Sequence, residues 1–129
     1  MNARTSRSRE ILLLVSDSLV RDVFEDTLQR AGYSVVPAGS LGSAVDRLKT
    51  NKPDLLIIRS YVSDMPGHSA ANYLRSRIPA LPVLMVGGQM DDERLTSRNA
   101  LEAFHVFPKP FSPAHFLEAV EQALNAHVS

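Results

Sequence analysis

Residues 52–59, KPDLLIIR, decide the fold. Residues 55–58 are all aliphatic, and an uninterrupted apolar run of this kind is typical of a strand buried on both faces of a parallel sheet. Arg59 ends the run. In an open α/β sheet, ligands bind beyond the carboxyl ends of the strands, so we expect Arg59 to face a functional site and not the core.

Four further strands are expected at residues 11–15, 33–36, 83–86 and 104–107; the first and third are wholly apolar, and the other two are apolar except for one residue each. Segments with apolar residues at helical spacing separate the runs and predict five helices. Ser18 and Ser40 are the expected N-caps of the first two helices, Gly32 ends the first, and Pro113 begins the fifth. The fourth helix, around residues 91–101, has only a thin apolar face.

Alternating strands and helices predict an α/β fold in which the parallel strands are covered on both faces and each crossover is right-handed. We expect a flavodoxin-like, doubly wound sheet of five parallel strands in the order 2-1-3-4-5, within a three-layer α/β/α arrangement. The ends of strands 1 and 3 would then bring Ser16, Asp17 and Arg59 together. The ends of strands 4 and 5 would add Gly87 and Lys109.

The composition sets limits on the class of protein. A chain of 129 residues suits a single domain, expected at residues 10–127, and the polar, Arg-rich residues 1–9 are expected to form a disordered arm. Since 14 basic residues balance 14 acidic ones, the overall charge favours neither a nucleic-acid partner nor a membrane surface. The chain has no cysteine, and its apolar runs are too short to cross a bilayer. We expect a cytoplasmic protein, either stand-alone or one domain of a longer chain.

Four motifs, in this order and spacing, resemble those of the CheY-like receiver domain of two-component response regulators. They are residues 11–18, ILLLVSDS; 52–58, KPDLLII; 82–86, PVLMV; and 109–111, KPF. The resemblance extends from Glu10 to Asn125 and implies a role in bacterial two-component (phosphorelay) signal transduction. Because the sequence has no phosphate-binding glycine loop and no defensible Ser-His-Asp order, we do not expect an enzyme.

The resemblance also implies a phosphorylation site that this sequence lacks in part. Receivers accept a phosphoryl group on the aspartate that ends the third strand, beside Mg²⁺ held by two acids after the first strand. Here Arg59 stands at the acceptor position and Ser16 replaces one acid, which leaves Asp17 as the only residual metal ligand. A guanidinium group has no lone pair to attack phosphorus, and one carboxylate beside a cation binds Mg²⁺ poorly. We therefore expect a degenerate receiver with no phosphoacceptor, no cofactor and weak or absent Mg²⁺ binding.

The residues with which the family responds to phosphorylation also differ. Gly87 replaces the hydroxyl residue after the fourth strand, Val106 replaces the aromatic switch residue of the fifth, and Lys109 is retained. Asp17 against Arg59 and Lys109 gives this site a formal charge of +1. The sequence leaves three hypotheses open for Arg59: a pair with Asp17 in the space of the metal, exposure to solvent, or binding of an anion.

The expected function is that of a receiver that works through protein contacts without its own phosphorylation. The partner is expected to be a kinase, an output domain or a second copy that pairs through the fourth helix, the fifth strand and the fifth helix. Two alternatives remain open at this point: a phosphorylatable receiver with a non-standard acceptor, and a sensor that binds a small anionic ligand in the positive pocket.

Overall fold

The structure, a computed structural model, describes residues 9–59, 61–62, 65–86, 104–107 and 113–125. In chain order its elements are β1 (Glu10–Leu14), α1 (Ser18–Arg30), β2 (Ser34–Ala38), α2 (Leu41–Arg47), β3 (Leu55–Arg59), β4 (Tyr61–Val62), β5 (Met65–Pro66), α3 (Gly67–Arg77), β6 (Val83–Val86), β7 (Phe104–Phe107) and α4 (Pro113–Asn125). The five predicted strands are present as β1, β2, β3, β6 and β7, with bounds that differ from the apolar runs by two residues at most.

These five strands form one parallel sheet in the order β2-β1-β3-β6-β7. The predicted order and the predicted α/β class are both confirmed. Leu14 is level with Ile58 across β1 and β3, and Arg59 is level with Val86 across β3 and β6. The carboxyl ends of the three central strands therefore meet at one edge of the sheet, where the sequence places the site.

The apolar side chains of the strands divide between two cores because successive residues of a strand point to opposite faces. One core lies between the sheet and helices α2 and α3, and it includes Leu12, Leu56 and Ile58. The other lies between the sheet and helices α1 and α4, where Phe24 and Phe116 stack with ring centroids 5.0 Å apart. Helices thus cover both faces, in the predicted three-layer arrangement.

The helix starts confirm one predicted cap and correct another. Ser40 caps α2, and its hydroxyl oxygen accepts a hydrogen bond from the backbone N–H of Ser43 at 3.1 Å. The N-cap of α1 is Asp17, not Ser18, which is the first residue of the helix. The prediction was one residue late because serine and aspartate cap helices about equally well, and only the backbone shows which of two neighbouring candidates precedes the first turn.

The segment after β3 is more regular than the loop that the sequence predicts. Strands β4 and β5 form a small antiparallel hairpin in which Val62 pairs with Met65, and Val62 is buried in the core beneath α3. The predicted fourth helix, residues 91–101, and the predicted arm lie outside the described residues. Among those that are described, no helix is both long and apolar enough to span a membrane.

Candidate functional site

Arg59 is the last residue of β3 and lies where the core gives way to the edge of the sheet. The preceding residue, Ile58, is fully buried against the α2 and α3 layer, whereas Arg59 is half-buried. By strand alternation the side chain of Arg59 leaves the sheet on the side of α1 and α4, the face to which Ile57 also contributes. The structure thus places a cation at the carboxyl end of the central strand, as the sequence predicted.

Ser16 and Asp17 follow β1 at the same edge, and both are exposed. The carboxylate of Asp17 is occupied by its own helix: Oδ1 accepts from the backbone N–H of Leu19 at 2.9 Å and from that of Val20 at 3.2 Å. The ion pairs among the described residues join Arg30 to Asp26 and Lys49 to Asp46. Asp17 and Arg59 are therefore not paired, and the hypothesis of a direct ion pair between them is wrong for this conformation.

The helix-capping role of Asp17 gives the physical reason for this correction. The first backbone N–H groups of a helix have no partners within the helix, and the helix dipole adds positive charge at that end. A carboxylate one residue before α1 satisfies both needs without moving. Its Oδ1 accepts from two of these N–H groups, those of Leu19 and Val20, so the carboxylate is held by its own helix.

Arg21 is a second cation at this edge, and the sequence reasoning did not identify it. Its Nη1 donates a hydrogen bond to the carbonyl oxygen of Val15 at 2.7 Å, in a half-buried position. A Cβ at Gly39 would lie 3.1 Å from that same Nη1, so the glycine leaves the space that the guanidinium occupies. The sequence marks Arg21 only as a polar position on α1, and nothing in the pattern shows that it turns toward the sheet.

The described part of the site is therefore cationic. Asp17 contributes one negative charge against the positive charges of Arg21 and Arg59, a formal sum of −1 + 2 = +1, and the carboxylate is already hydrogen-bonded. Within the described ranges, no three His, Asp or Glu side chains are grouped closely enough to hold a metal ion. Gly87 and Lys109 lie outside the described residues. The backbone of Val106 in β7 is level with that of Met85 in β6.

Asp54 directly precedes β3 and lies at the opposite, amino-terminal edge of the sheet. Its backbone N–H donates to the carbonyl oxygen of Glu10 at 2.6 Å, and its Oδ2 accepts from the backbone N–H of Glu10 at 2.8 Å. These two hydrogen bonds join the beginnings of β1 and β3. Asp54 therefore has a structural role far from Arg59 and is not a displaced phosphoacceptor of that site.

Comparison with known proteins agrees with this architecture. The family model of the response regulator receiver domain matches residues 11–121. This chain therefore belongs to the response regulator receiver domain family, and it functions as a receiver domain of two-component signal transduction.

Two curated relatives show how the chain relates to longer proteins. The DNA-binding transcriptional regulator NtrC of Klebsiella pneumoniae is 30% identical over 109 residues, which cover 84% of this chain and 23% of NtrC. The alkaline phosphatase synthesis transcriptional regulatory protein PhoP of Bacillus subtilis is 26% identical over 106 residues, covering 82% of this chain and 44% of PhoP. The chain thus spans less than half the length of either relative.

Solved structures show the same fold. A response regulator receiver protein from Sinorhizobium medicae has a TM-score of 0.79 at 27% identity, covering 95% of this chain and 98% of that one. NtrX from Brucella abortus has a TM-score of 0.83 at 22% identity, covering 94% of this chain and 28% of NtrX. At that lower identity the likeness concerns the fold alone.

Proposed function

We propose that this receiver is degenerate: it transmits a signal through protein contacts and is not phosphorylated at the carboxyl edge of its sheet. The observation that carries the proposal is that β3, the central strand, ends in Arg59. The family resemblance puts the phosphoaccepting aspartate at this position. A guanidinium group is protonated at every accessible pH and cannot attack phosphorus, so the central chemical group of the reaction is absent.

The neighbouring residues support the same proposal. Mg²⁺ prefers several oxygen ligands in a near-octahedral arrangement, usually with carboxylates among them. Asp17 is the one acid that directly follows β1, and its Oδ1 already accepts two backbone hydrogen bonds. With the cations of Arg21 and Arg59 at the same edge, the residues present do not fit a Mg²⁺ site. We propose that the domain needs neither the metal nor another cofactor and has no enzymatic activity.

The partner that we propose is another protein, either a kinase or an output domain. NtrC and PhoP are transcriptional regulators by name, and in both the similarity to this chain covers only part of the protein. A homodimer through the fourth predicted helix, β7 and α4 remains a prediction, because residues 91–101 lie outside the described residues. We also retain the division into an arm at residues 1–9 and one receiver domain at 10–127 as a proposal.

Arg21 favours a second candidate function, the binding of a small anion. Its guanidinium is held at the carboxyl edge of the sheet by the hydrogen bond to Val15, next to Gly39, so this edge carries Arg21 as well as Arg59. Phosphate and nucleotides are the chemical class that such a pair recognises. A ligand present at 100 times its dissociation constant would raise the free energy of unfolding by about 2.7 kcal/mol, which a thermal-shift screen detects.

Nuclear magnetic resonance tests the main proposal through the backbone amide signals of Asp17 and its neighbours. Titration with Mg²⁺ to millimolar concentration, and then with beryllofluoride, should leave these signals unchanged in the natural sequence. The matched control is the double variant Ser16→Asp with Arg59→Asp, which restores two carboxylates to the edge and should gain Mg²⁺-dependent shifts. Saturable shifts in the natural sequence would contradict the proposal, whatever the double variant does.

A further inference from the structure

The described helices on the two faces of the sheet carry opposite net charges. Helices α1 and α4 together contain five acidic residues, Asp22, Glu25, Asp26, Glu118 and Glu121, and two basic ones, Arg21 and Arg30, a sum of −5 + 2 = −3. Helices α2 and α3 contain Asp46 against Arg47, Arg75 and Arg77, a sum of −1 + 3 = +2. Since the whole chain is neutral, this separation is a property of the fold and not of the composition.

Each layer also exposes large apolar side chains on its charged helix. On α1, Leu19 is 76% and Val23 54% exposed, and they are one helical turn apart. Asp22 follows Leu19 by three residues and Asp26 follows Val23 by three, so the two acids lie on the same side of the helix as the apolar pair. We call this surface, Leu19, Asp22, Val23 and Asp26, the acidic patch.

The opposite layer has a counterpart on α3. Tyr73 is 45% exposed, the guanidinium of Arg77 lies 5.4 Å from the centre of its ring, and Nη2 of Arg77 donates to the tyrosine hydroxyl at 3.1 Å. Asn72 and Ser76 complete the exposed surface, which we call the basic patch. Residues 65–86 contain no acid, so no carboxylate within this stretch competes for Arg77. The other large apolar side chains exposed by a third or more in the described residues, Tyr61 and Met65, lie on the hairpin that packs against α3.

The two patches are complementary in charge, and both also present apolar groups. Leu19 and Val23 offer aliphatic groups to the ring of Tyr73, and Asp22 offers a carboxylate to Arg77. The hydrogen bond between Arg77 and Tyr73 fixes the basic patch in one arrangement, which lowers the entropy lost on binding. We propose that copies of this chain associate head to tail, with the acidic patch on α1 of one copy docked on the basic patch on α3 of the next.

The geometry determines what kind of assembly this contact builds. The patches lie on opposite faces of the sheet, since α1 packs on one core and α3 on the other. Two copies can therefore form only one contact between an acidic and a basic patch, and the contact is heterologous. In such a pair each copy has one patch left, to which a further copy can bind. This self-association needs no phosphorylation and stands independently of the role proposed for Arg59.

Sedimentation velocity of the full chain gives the first test. The average mass should rise with protein concentration at about 0.01 M salt and fall to that of a monomer at about 1 M, because the screening length shrinks from about 30 Å to about 3 Å. A chain that stays monomeric at low salt up to millimolar concentration would overturn the proposal.

Two blocked variants give the sharper test. One carries Asp22→Asn with Val23→Ser, and the other carries Tyr73→Ser with Arg77→Ser; all four side chains are exposed, so the fold should be retained, as circular dichroism will show. Each variant alone should be monomeric, while an equimolar mixture should form discrete dimers and nothing larger. The control is Lys49→Ser, which changes an exposed cation just after α2 and outside both patches. This variant should associate as the natural chain does.

The mixture separates this contact from a symmetric dimer through β7 and α4. A symmetric dimer would persist in each blocked variant alone and would not grow with concentration beyond two copies. Either of those results, or a mixture that stays monomeric, rejects the head-to-tail contact.

Discussion

Arg21 and Val15 are joined by a hydrogen bond of 2.7 Å from the guanidinium Nη1 to the backbone carbonyl oxygen. This contact fixes a cation from α1 at the point where β1 leaves the core, on the side of β1 that faces Gly39 after β2. Arg21 thus makes the net charge at the carboxyl edge of the sheet more positive than Asp17 and Arg59 alone would make it. A site that holds a metal ion has the opposite, negative net charge.

Gly39→Ala should disturb this contact, because the added Cβ would lie 3.1 Å from Nη1 of Arg21. The guanidinium must shift by a few tenths of an ångström, and we expect the free energy of unfolding to fall by about 1 kcal/mol as the hydrogen bond weakens. Denaturant titration measures this. In an Arg21→Met background the same substitution should leave the free energy of unfolding almost unchanged.

Gly42→Ala is the control, because an added Cβ at this position in α2 meets nothing within 4 Å. It should raise the free energy of unfolding by roughly 0.5–1 kcal/mol. Equal losses in both backgrounds would show that Arg21 does not need the space at Gly39.

Asp17 should behave as a helix cap and not as a partner of Arg59. Asp17→Ala should lower the free energy of unfolding by roughly 0.5–2 kcal/mol, while Asp17→Asn, which keeps the accepting oxygen, should lose much less. Combining Asp17→Asn with Arg59→Met should give additive effects, within about 0.5 kcal/mol, because the two side chains do not interact. A larger coupling in this double-mutant cycle would restore the ion pair that the structure does not show.

Asp54 should contribute to stability from the edge of the sheet opposite the site. Asp54→Ala removes the acceptor for the backbone N–H of Glu10, and leaving that half-buried donor unpaired should cost roughly 1–3 kcal/mol. Asp46→Ala is the matched control: it breaks an ion pair to Lys49 whose two side chains are 72% and 73% exposed, and it should change stability by less than about 0.5 kcal/mol. Equal losses for the two variants, measured by chemical denaturation, would argue against the bridge between Glu10 and Asp54.

Tyr33 should make stability depend on alkaline pH. Burial raises the pKa of Tyr33 above its ordinary value of 10.0, the charge of Glu121 raises this pKa further, and Arg9 opposes the rise. The fold therefore favours the neutral phenol. The stability that the neutral phenol of Tyr33 contributes to the folded state is fully present below the unfolded pKa, near 10.0. It is lost as the pH rises through the higher pKa of the folded state.

Comparison of the natural chain with Tyr33→Phe isolates that effect, since phenylalanine cannot ionise. The difference in unfolding free energy between the two proteins should change steadily with pH above about 10, to the disadvantage of the natural chain. Glu121→Gln should reduce the slope without removing it, because burial is the larger cause. A difference that is flat with pH would mean that Tyr33 is as well hydrated in the folded state as in the unfolded one.

Much of the fold could be predicted from the sequence because its strands are unusually uniform. Runs such as residues 55–58 leave no choice but burial on both faces, and glycine at position 32 ends α1 where a φ of 98° requires it. The hairpin of β4 and β5 was missed since two-residue strands carry no periodicity. The cap of α1 was misplaced by one residue because Asp17 and Ser18 are both good caps.

The site was harder to predict because its contacts depend on side-chain direction. The positions of Ser16, Asp17 and Arg59 at one edge follow from strand order, which the sequence predicts. Whether Asp17 turns to Arg59 or to its own helix depends on local geometry, and the nearer backbone donors prevail. The side chain of Arg21 can turn toward Val15 only because Gly39 leaves open space there. Gly39 lies between β2 and α2, so the sequence of α1 does not indicate this contact.

The central claim is that this receiver does not accept a phosphoryl group, and intact-protein mass spectrometry after incubation with acetyl phosphate and Mg²⁺ tests it most directly. The account predicts that the mass of the natural chain is unchanged under conditions in which a receiver with an aspartate at the end of its third strand is modified. A phosphoryl adduct on the natural chain, at whichever residue peptide mapping located it, would contradict the account.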